Sequence, residues 1–292
     1  MRQKIQQWLS EDAPSFDFGG YVVGNADETC VILCKSEGVL AGVPFVNAVF
    51  KELHCSIEWH CKEGDWLVPP VTVATVGGNA RKMLLGERLA LNILARASGV
   101  ATLAREACQI AKAHHWTGIV AGTRKTTPGF RVVEKYSLLV GGIAQHRFDL
   151  SSMVMLKDNH IWAASDDIAK AVQKARFVAG FSTKIEVECR SYEGACTAAN
   201  AGAEVVMLDN FEHETAKAVA EMLKKDFPHL TIEISGGINF NNMHLYFCKD
   251  IDVLSMSCLT QGYKCVDFSL KIKRPGHDPT NPIVVTPTET NE

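Results

Sequence analysis

The sequence contains no Cys-x-x-Cys pair, although it carries ten cysteines in 292 residues. Cys30, Cys34, Cys55, Cys61, Cys108, Cys189, Cys196, Cys248, Cys258 and Cys265 lie scattered in mostly apolar surroundings, which reads as reduced core thiols of a cytosolic protein. It also lacks a run of about 20 uncharged apolar residues, the length a membrane span requires. The opening MRQKIQQWLSEDAP has charges where a signal peptide needs an apolar run, and Ile5, Trp8 and Leu9 at helical spacing predict an ordinary first helix. Charge of one sign is missing too. With 30 Lys+Arg against 33 Asp+Glu and a net charge of −3, the chain as a whole does not attract nucleic acid or anionic lipid. These absences predict a soluble protein of the cytoplasm, with the nucleus as a further location, and no nucleic-acid or membrane partner. Any anion site has to be local.

What is present is a 47% hydrophobic composition, enough for a barrel-sized core with a smaller companion domain. The first hundred or so residues mix short strand patterns (YVVGN, TCVILCK, CSIEWHC, VTVATV) with turn signals at Gly19-Gly20, Gly64-Asp65 and Pro69-Pro70, predicting an antiparallel sheet with helices on it. HCSIEWHC, residues 54–61, has zinc-type ligands, but strand alternation sends Cys55, Ile57, Trp59 and Cys61 one way and His54, Ser56, Glu58 and His60 the other. Ligands divided between two faces do not converge on one ion, so the segment reads as a half-buried strand.

A long helical pattern follows from about Asn79 to His115, with a candidate break near Ser98-Gly99, and its leucines surround so much of the middle that the helix is expected to be buried. Arg88, Asn92 and Arg96 share one of its faces at i, i+4 and i+8, and a guanidinium on a buried helix needs an anionic partner: an acid of the same chain, a ligand, or a neighbouring subunit.

From residue 118 strands alternate with amphipathic helices. GIVAG, MVMLK, KIEVE, VVMLD, TIEIS and DVLSM read as parallel strands of a complete or partial α/β barrel, with an open doubly wound sheet as the alternative. The expected domains are an N-terminal α/β sandwich over 1–116, a barrel over 117–263, a strand in CVDFSLKIK (264–274) returning to the first domain, and a disordered tail over 275–292.

In barrel enzymes the chemistry sits at the C-terminal strand ends. Here those ends carry Thr123-Arg124-Lys125, Lys157-Asp158-Asn159, Glu188, Asp209-Asn210, Ser235-Gly236-Gly237 and Ser255-Met256-Ser257. GTRKTTPGFRVVEK gathers Arg124, Lys125, Arg131 and Lys135 around a single acid, Glu134, and His146, Arg147 and Lys157 add further positive character. Glu188 and Asp209 suit Mg²⁺, which takes one or two carboxylates together with substrate phosphate oxygens; internal ion pairs to Lys157 or Lys184 are the plain alternative. Ser235-Gly236-Gly237 offers open backbone N–H groups at what reads as the start of a helix, a place where barrels hold phosphate. A rim with so many cations calls for a polyanion. An aldolase-type lyase with a Schiff-base Lys157 or Lys184, and a non-catalytic barrel, are the competing readings.

GERLALNILARASGVAT, GTRKTTPGFRVVEKY, HRFDLSSMVMLKDNHI, KIEVEC, VVMLDNF and EISGGIN together resemble quinolinate phosphoribosyltransferase (nicotinate-nucleotide pyrophosphorylase), of the type II phosphoribosyltransferases, in order over about residues 5 to 272. The resemblance implies an open sandwich domain plus an incomplete α/β barrel, working as a homodimer or a trimer-of-dimers hexamer with active sites completed by the neighbouring subunit. It implies transfer of phosphoribosyl from phosphoribosyl pyrophosphate (PRPP) to quinolinate with Mg²⁺, releasing pyrophosphate and CO₂ and forming nicotinate mononucleotide. Arg88 is then expected to reach the neighbour's site, while Arg124, His146 and Arg147 hold the quinolinate carboxylates and Thr123 belongs to the same substrate site. Lys125 and Lys157 stand near the reacting groups, Glu188 and Asp209 near the ribose hydroxyls and Mg²⁺. Ser235, Gly236, Gly237, Met256, Ser257 and Cys258 form the phosphate site. One departure stands out: Ser257 and Gln261 occupy positions where many members have Gly and His. A nicotinate-using transferase would need only one carboxylate clamp, so two arginines and a histidine favour the diacid.

Overall fold

The computed structural model describes residues 1–164, 166–276 and 278–280. They form two compact units, Met1–Gly99 with Lys264 onward, and Val100–Tyr263. The division falls inside the long helix, earlier than the expected boundary at 116. Most of the predicted tail, from 281 onward, lies outside the described residues.

The first unit begins with α1 (Arg2–Asp12), whose Ile5 is fully buried, and α2 (Phe18–Val23). The strand expected at YVVGN is absent. Asp17 Oδ1 accepts the Gly20 N–H at 2.9 Å and Gly24 ends the turn at φ 77°, so local capping outweighs the β-branched pair Val22-Val23. Next come β1 (Asp27–Cys34), β2 (Gly38–Val39), α3 (Val43–Glu52), β3 (Ser56–Trp59), β4 (Trp66–Leu67) and β5 (Val71–Asn79). Along β3 the exposure alternates as expected, with Ile57 and Trp59 half-buried and Ser56 and Glu58 exposed.

The helix α4 (Ala80–Ala113) runs for 34 residues without a break. Ser98 is compatible with the helix because its hydroxyl is buried and accepts the Ala41 N–H at 3.1 Å. Met83, Ala90, Ile93, Leu94 and Ala97 are fully buried, but Leu84, Leu85 and Leu89 are half-exposed, and Arg88, Asn92 and Arg96 form an exposed face. The expectation of a wholly buried helix is therefore corrected: its arginines stand on the polar side.

The second unit uses the rest of α4, where Val100, Ala104, Ala107 and Ala111 form a small-residue stripe at helical spacing in its core. Its remaining elements are β6 (Ile119–Ala121), α5 (Arg131–Gly141), β7 (Val154–Leu156), α6 (Asp158–Ala163), α7 (Ile168–Ala179), β8 (Ile185–Cys189), α8 (Tyr192–Asn200), β9 (Val205–Asp209), α9 (His213–Asp226), β10 (Thr231–Ser235) and β11 (Val253–Ser255). The six strands form one parallel sheet in the order β6-β11-β10-β9-β8-β7. Neighbours in sequence are neighbours in the sheet, and the first strand pairs with the last. That is barrel connectivity, whereas a doubly wound sheet reverses direction midway. The ring stays open between β6 and β7, where Ala144 alone bridges to Ala121 through Gly122 N–H to Ala144 O and Ala144 N–H to Val120 O, each 2.9 Å.

The chain then returns as β12 (Phe268–Ile272), the strand expected in CVDFSLKIK. It completes the first unit's antiparallel sheet in the order β12-β1-β5-β3.

Candidate active site

A cavity of about 570 Å³ opens at the C-terminal strand ends of the barrel. Strand alternation selects its walls. In β8, Ile185, Val187 and Cys189 pack with the apolar core, which leaves Glu186 and Glu188 on the inner face. In the same way β7 presents Met155 and then Lys157, β9 Met207 and Asp209, β10 Glu233 and Ser235, and β11 Ser255 followed by Ser257. The loop after β6 supplies Thr123, Arg124 and Lys125, and the segment filling the barrel gap supplies His146 and Arg147.

The cationic part consists of Arg124, Lys125 and Arg147, none of which forms an ion pair among the described residues. Arg124 Nε is buried with no hydrogen-bond partner, and so is Ser255 Oγ on the cavity wall. Buried donors left unpaired cost about 1–3 kcal/mol each, which a bound anion recovers. Arg147 donates to Met153 O at 3.3 Å, and its charge is disfavoured by burial and by the nearby Arg124. Thr123 Oγ1 accepts the Lys125 N–H at 3.1 Å, and Thr260 Oγ1 donates to Lys125 O at 2.7 Å, so the backbone carrying Lys125 is held from two sides.

Arg131 and Lys135, the other cations of that segment, do not line the cavity. Arg131 donates to Thr126 Oγ1 at 3.1 Å and Phe148 O at 3.4 Å. Lys135 is fully buried and donates to the carbonyls of Gln145 and Arg147. Burial first, then the guanidinium groups of Arg131, Arg124 and Arg147, push its pKa down to about 8. Glu134 is no counter-ion to this group; it ties the loop by accepting from Thr127 N–H and Oγ1, both at 2.8 Å, and from Tyr263 OH at 3.1 Å.

The acidic part is more occupied than the rim pattern suggests. Lys157 Nζ pairs with Glu188 Oε2, so the internal ion pair held as the plain alternative does form. Asp209 Oδ2 accepts from the Asn210 amide at 2.5 Å. Lys184, the other lysine of the lyase reading, precedes β8 at its N-terminal end, is exposed and lies outside the cavity wall.

Gly236 and Gly237 both adopt left-handed backbone, φ 95° and 65°. A Cβ at Gly236 would stand 2.3 Å from Asn210 Oδ1 and 2.8 Å from Asn210 N, while at Gly237 it would meet nothing within 4 Å. No helix begins there. The loop leads only to a 3-10 turn over Met243–Tyr246, so whatever the loop binds is met by loop N–H groups without a helix dipole. Ser257 lines the cavity, but Met256 is fully buried in the core and Cys258 Sγ points to Ile238 O at 3.8 Å; neither reaches the wall. Arg88 is exposed on α4 in the other unit.

Sequence reading missed the layer one pleat below the rim. Glu186 and Glu233 approach His146 so that one ligand atom from each lies within 4.8 Å of the others. His146 Nε2 lies 2.9 Å from Glu233 Oε2 and 3.9 Å from Glu186 Oε2. Both Glu186 oxygens are buried without a partner; burial, then the neighbouring Glu233, push its pKa up to about 9. The signal was available: stepping back two residues from Glu188 and from Ser235 along each strand reaches Glu186 and Glu233. The cation surplus is correspondingly smaller than expected and is concentrated at Arg124, Lys125 and Arg147.

An open parallel barrel whose rim holds unpaired guanidinium groups, a carboxylate pair and a left-handed Gly-Gly loop belongs to the enzyme class that handles small, multiply charged anions at its strand tips. Comparison with known proteins narrows the class. The model described as "Quinolinate phosphoribosyl transferase, N-terminal domain" matches residues 18–98, and that described as "Quinolinate phosphoribosyl transferase, C-terminal domain" matches residues 100–271. The chain belongs to the quinolinate phosphoribosyl transferase family. It is 51% identical over 272 residues to "Nicotinate-nucleotide pyrophosphorylase [carboxylating]" of Rattus norvegicus, covering 93% of this chain and 91% of that one. It is 50% identical over 268 residues to the human protein of the same name, covering 92% and 90%. The solved structure of the nicotinate-nucleotide pyrophosphorylase from Francisella tularensis superposes with a TM-score of 0.83 at 29% identity, over 92% of this chain and 94% of that one.

Proposed function

We infer that this chain transfers the phosphoribosyl group of PRPP to the ring nitrogen of quinolinate and releases the adjacent carboxylate as CO₂. The products are nicotinate mononucleotide and pyrophosphate, for NAD biosynthesis. The observation that carries this reading is the set Arg124, Lys125 and Arg147, unpaired in the protein and gathered on one cavity. Two carboxylates on a rigid ring give it the counter-charge it lacks.

In this reading Arg124 and Arg147 hold the diacid, with Thr123 beside them, and each charge-assisted hydrogen bond contributes about 1.5–3 kcal/mol. The ring nitrogen attacks C1 of the ribose as the C1–O bond to pyrophosphate breaks, and positive charge develops at C1. Lys125 and Lys157 stand where negative charge grows on the leaving group. Nitrogen quaternisation then makes the ring an electron sink. The bond to the neighbouring carboxylate breaks, its electron pair stays on the ring carbon beside N⁺, and a proton replaces CO₂. The protein chiefly positions and stabilises charge. Ser235, Gly236, Gly237 and Ser257 suit the 5′-phosphate, since the loop presents backbone N–H groups where no Cβ obstructs.

Glu188 and Asp209 fit Mg²⁺ unequally. Both are oxygen donors on adjacent strands facing the same cavity, but Glu188 is already neutralised by Lys157, so Asp209 is the freer ligand. Bound there with substrate oxygens, the ion would supply charge neutralisation to the departing pyrophosphate. The assembly we propose is a homodimer or a trimer of dimers, in which Arg88, Asn92 and Arg96, an exposed polar face of α4, are open to a neighbouring subunit. No helix among the described residues is long and apolar enough to cross a membrane, and the proposed location is the cytoplasm, extending to the nucleus.

The test is to mix purified protein, PRPP, Mg²⁺ and quinolinate labelled in its 2-carboxylate, with nicotinate as parallel substrate. Release of labelled CO₂ together with nicotinate mononucleotide is expected. Nucleotide formation from nicotinate at an equal rate, or none from quinolinate, would overturn the reading.

A further inference from the structure

The incomplete barrel has its gap between β6 and β7, and the segment filling that gap delivers Arg147 to the cavity. Such a segment has no strand ladder to hold it, yet an arginine that selects a rigid diacid must be held to within a fraction of an ångström. Beyond the backbone bridge at Ala144, the segment is held by side chains. Lys135, buried on α5, donates to the carbonyls on both sides of His146, those of Gln145 and of Arg147, the latter at 3.2 Å. His146 itself sits in left-handed backbone, φ 58°, a conformation a non-glycine residue keeps only when its surroundings impose it.

Both ring nitrogens of His146 are engaged inside the protein. Nδ1 lies 2.7 Å from the Arg147 backbone N–H, which points at it, and Nε2 lies 2.9 Å from Glu233 Oε2. An N–H aimed at Nδ1 requires a lone pair there, so the ring proton is on Nε2 and is donated to Glu233. A histidine wired in this way has no donor left for a substrate carboxylate.

We propose that Lys135, His146 and Glu233 are positioning residues that clamp the Gln145–Arg147 segment across the barrel gap and thereby aim Arg147 at the dicarboxylate. In this assignment His146 is a strut, and the carboxylate contacts fall to Arg124 and Arg147. The inference rests on the quinolinate reading for the identity of the diacid but not for the existence of the clamp.

The experiment uses the full chain and two readouts. Calorimetry with phthalate, a dicarboxylate of the same spacing, tests the clamp whether or not turnover is seen; kinetics with quinolinate and PRPP test it in the reaction. Lys135→Met, which fills the same volume, is expected to weaken phthalate binding and raise KM for quinolinate at least tenfold, with KM for PRPP changed less than threefold. Lys135→Gln, which keeps a donor, should recover part of the loss, and His146→Gln, whose amide can still reach Glu233, should stay within fivefold of the parent. Circular dichroism melting screens out variants that fail to fold. Equal weakening for both substrates, or unchanged phthalate affinity in Lys135→Met, would overturn the clamp; wild-type phthalate binding without quinolinate turnover would overturn the quinolinate reading instead.

The second readout is ¹⁵N NMR of histidine-labelled protein. The strut requires His146 to show a protonated Nε2 and a bare Nδ1, unchanged when phthalate is added. A ring that becomes doubly protonated on phthalate binding is a ligand, and the assignment fails.

Discussion

The rim of the barrel and the layer behind it are built from the same strands but behave differently. At the rim, Arg124 and Lys125 extend into the cavity without acids of their own. Behind it, charged groups act inside the protein: Lys135 holds two carbonyls, Glu134 ties the 127 turn, and Glu233 accepts from His146 Nε2, while Glu186, its pKa pushed up to about 9, is the exception without a hydrogen-bond partner. Charge left unsatisfied marks where a ligand goes, and charge that is satisfied marks what keeps the ligand site in shape. Substitutions should separate the two layers, the rim failing in catalysis and the layer behind it in geometry and pH response.

The largest effect is expected from Arg124→Ala. Loss of one bidentate charge-assisted contact is worth about 3 kcal/mol, on the order of a hundredfold in kcat/KM for quinolinate, with melting temperature nearly unchanged. Initial-rate kinetics beside a melting curve check it; a variant that melts early while keeping its kcat/KM would place Arg124 in the supporting layer. Lys125→Ala and Lys157→Ala come next, each losing at least tenfold in turnover. Near-normal kcat in both would remove the lysines from the leaving-group side, and the Lys157–Glu188 pair would then be read as structural.

The rim was legible in the sequence because it recurs at the end of each strand, and because the strands are marked by period-two texture in KIEVE and TIEIS and by a short apolar run in VVMLD. The supporting layer is hidden because Glu186 and Glu233 occupy inward positions below the strand ends, which a barrel usually fills with apolar side chains. Arg131 and Lys135 were grouped with Arg124 because proximity in sequence carries no information on which way a helix turns its side chains; α5 carries Lys135 inward under the loop. The misread elements have local causes. Asp17 capping made a helix of YVVGN, buried Ser98 left α4 unbroken, and Gly236 with Gly237 form a loop that no helix follows. Exposure of Arg88 was out of reach because the leucines around it suggested burial on every side.

The supporting layer can be probed through pH. Folding lowers the Lys135 pKa from its usual 10.5 to about 8, so between those values the unfolded chain binds a proton that the folded chain does not. Stability contributed at this site therefore rises with pH across that window, by up to about 3 kcal/mol, and below pH 8 the full cost of burying the cation is present. In Lys135→Met that rise disappears, so melting temperatures of variant and parent should converge or cross between pH 8 and 10. Parallel melting curves over the range would mean that the folded chain keeps the Lys135 proton as the unfolded chain does, and that burial does not lower its pKa.

The smallest effect is expected at Ser257. The Ser257 carbonyl accepts from the Thr260 and Gln261 N–H groups, both at 3.1 Å, and the Thr260 hydroxyl is anchored in turn on Lys125 O. The turn is thus shaped by the backbone of residue 257 and by Thr260, and not by the Ser257 side chain. Ser257→Gly should shift KM for PRPP by less than about threefold, under ~1 kcal/mol. Gly236→Ala is the contrasting case, since its Cβ would stand 2.8 Å from the Asn210 backbone nitrogen and the loop could not close around a phosphate unchanged. A tenfold rise in KM for Ser257→Gly would show that the hydroxyl itself grips the phosphate, and the serine would then count with the rim.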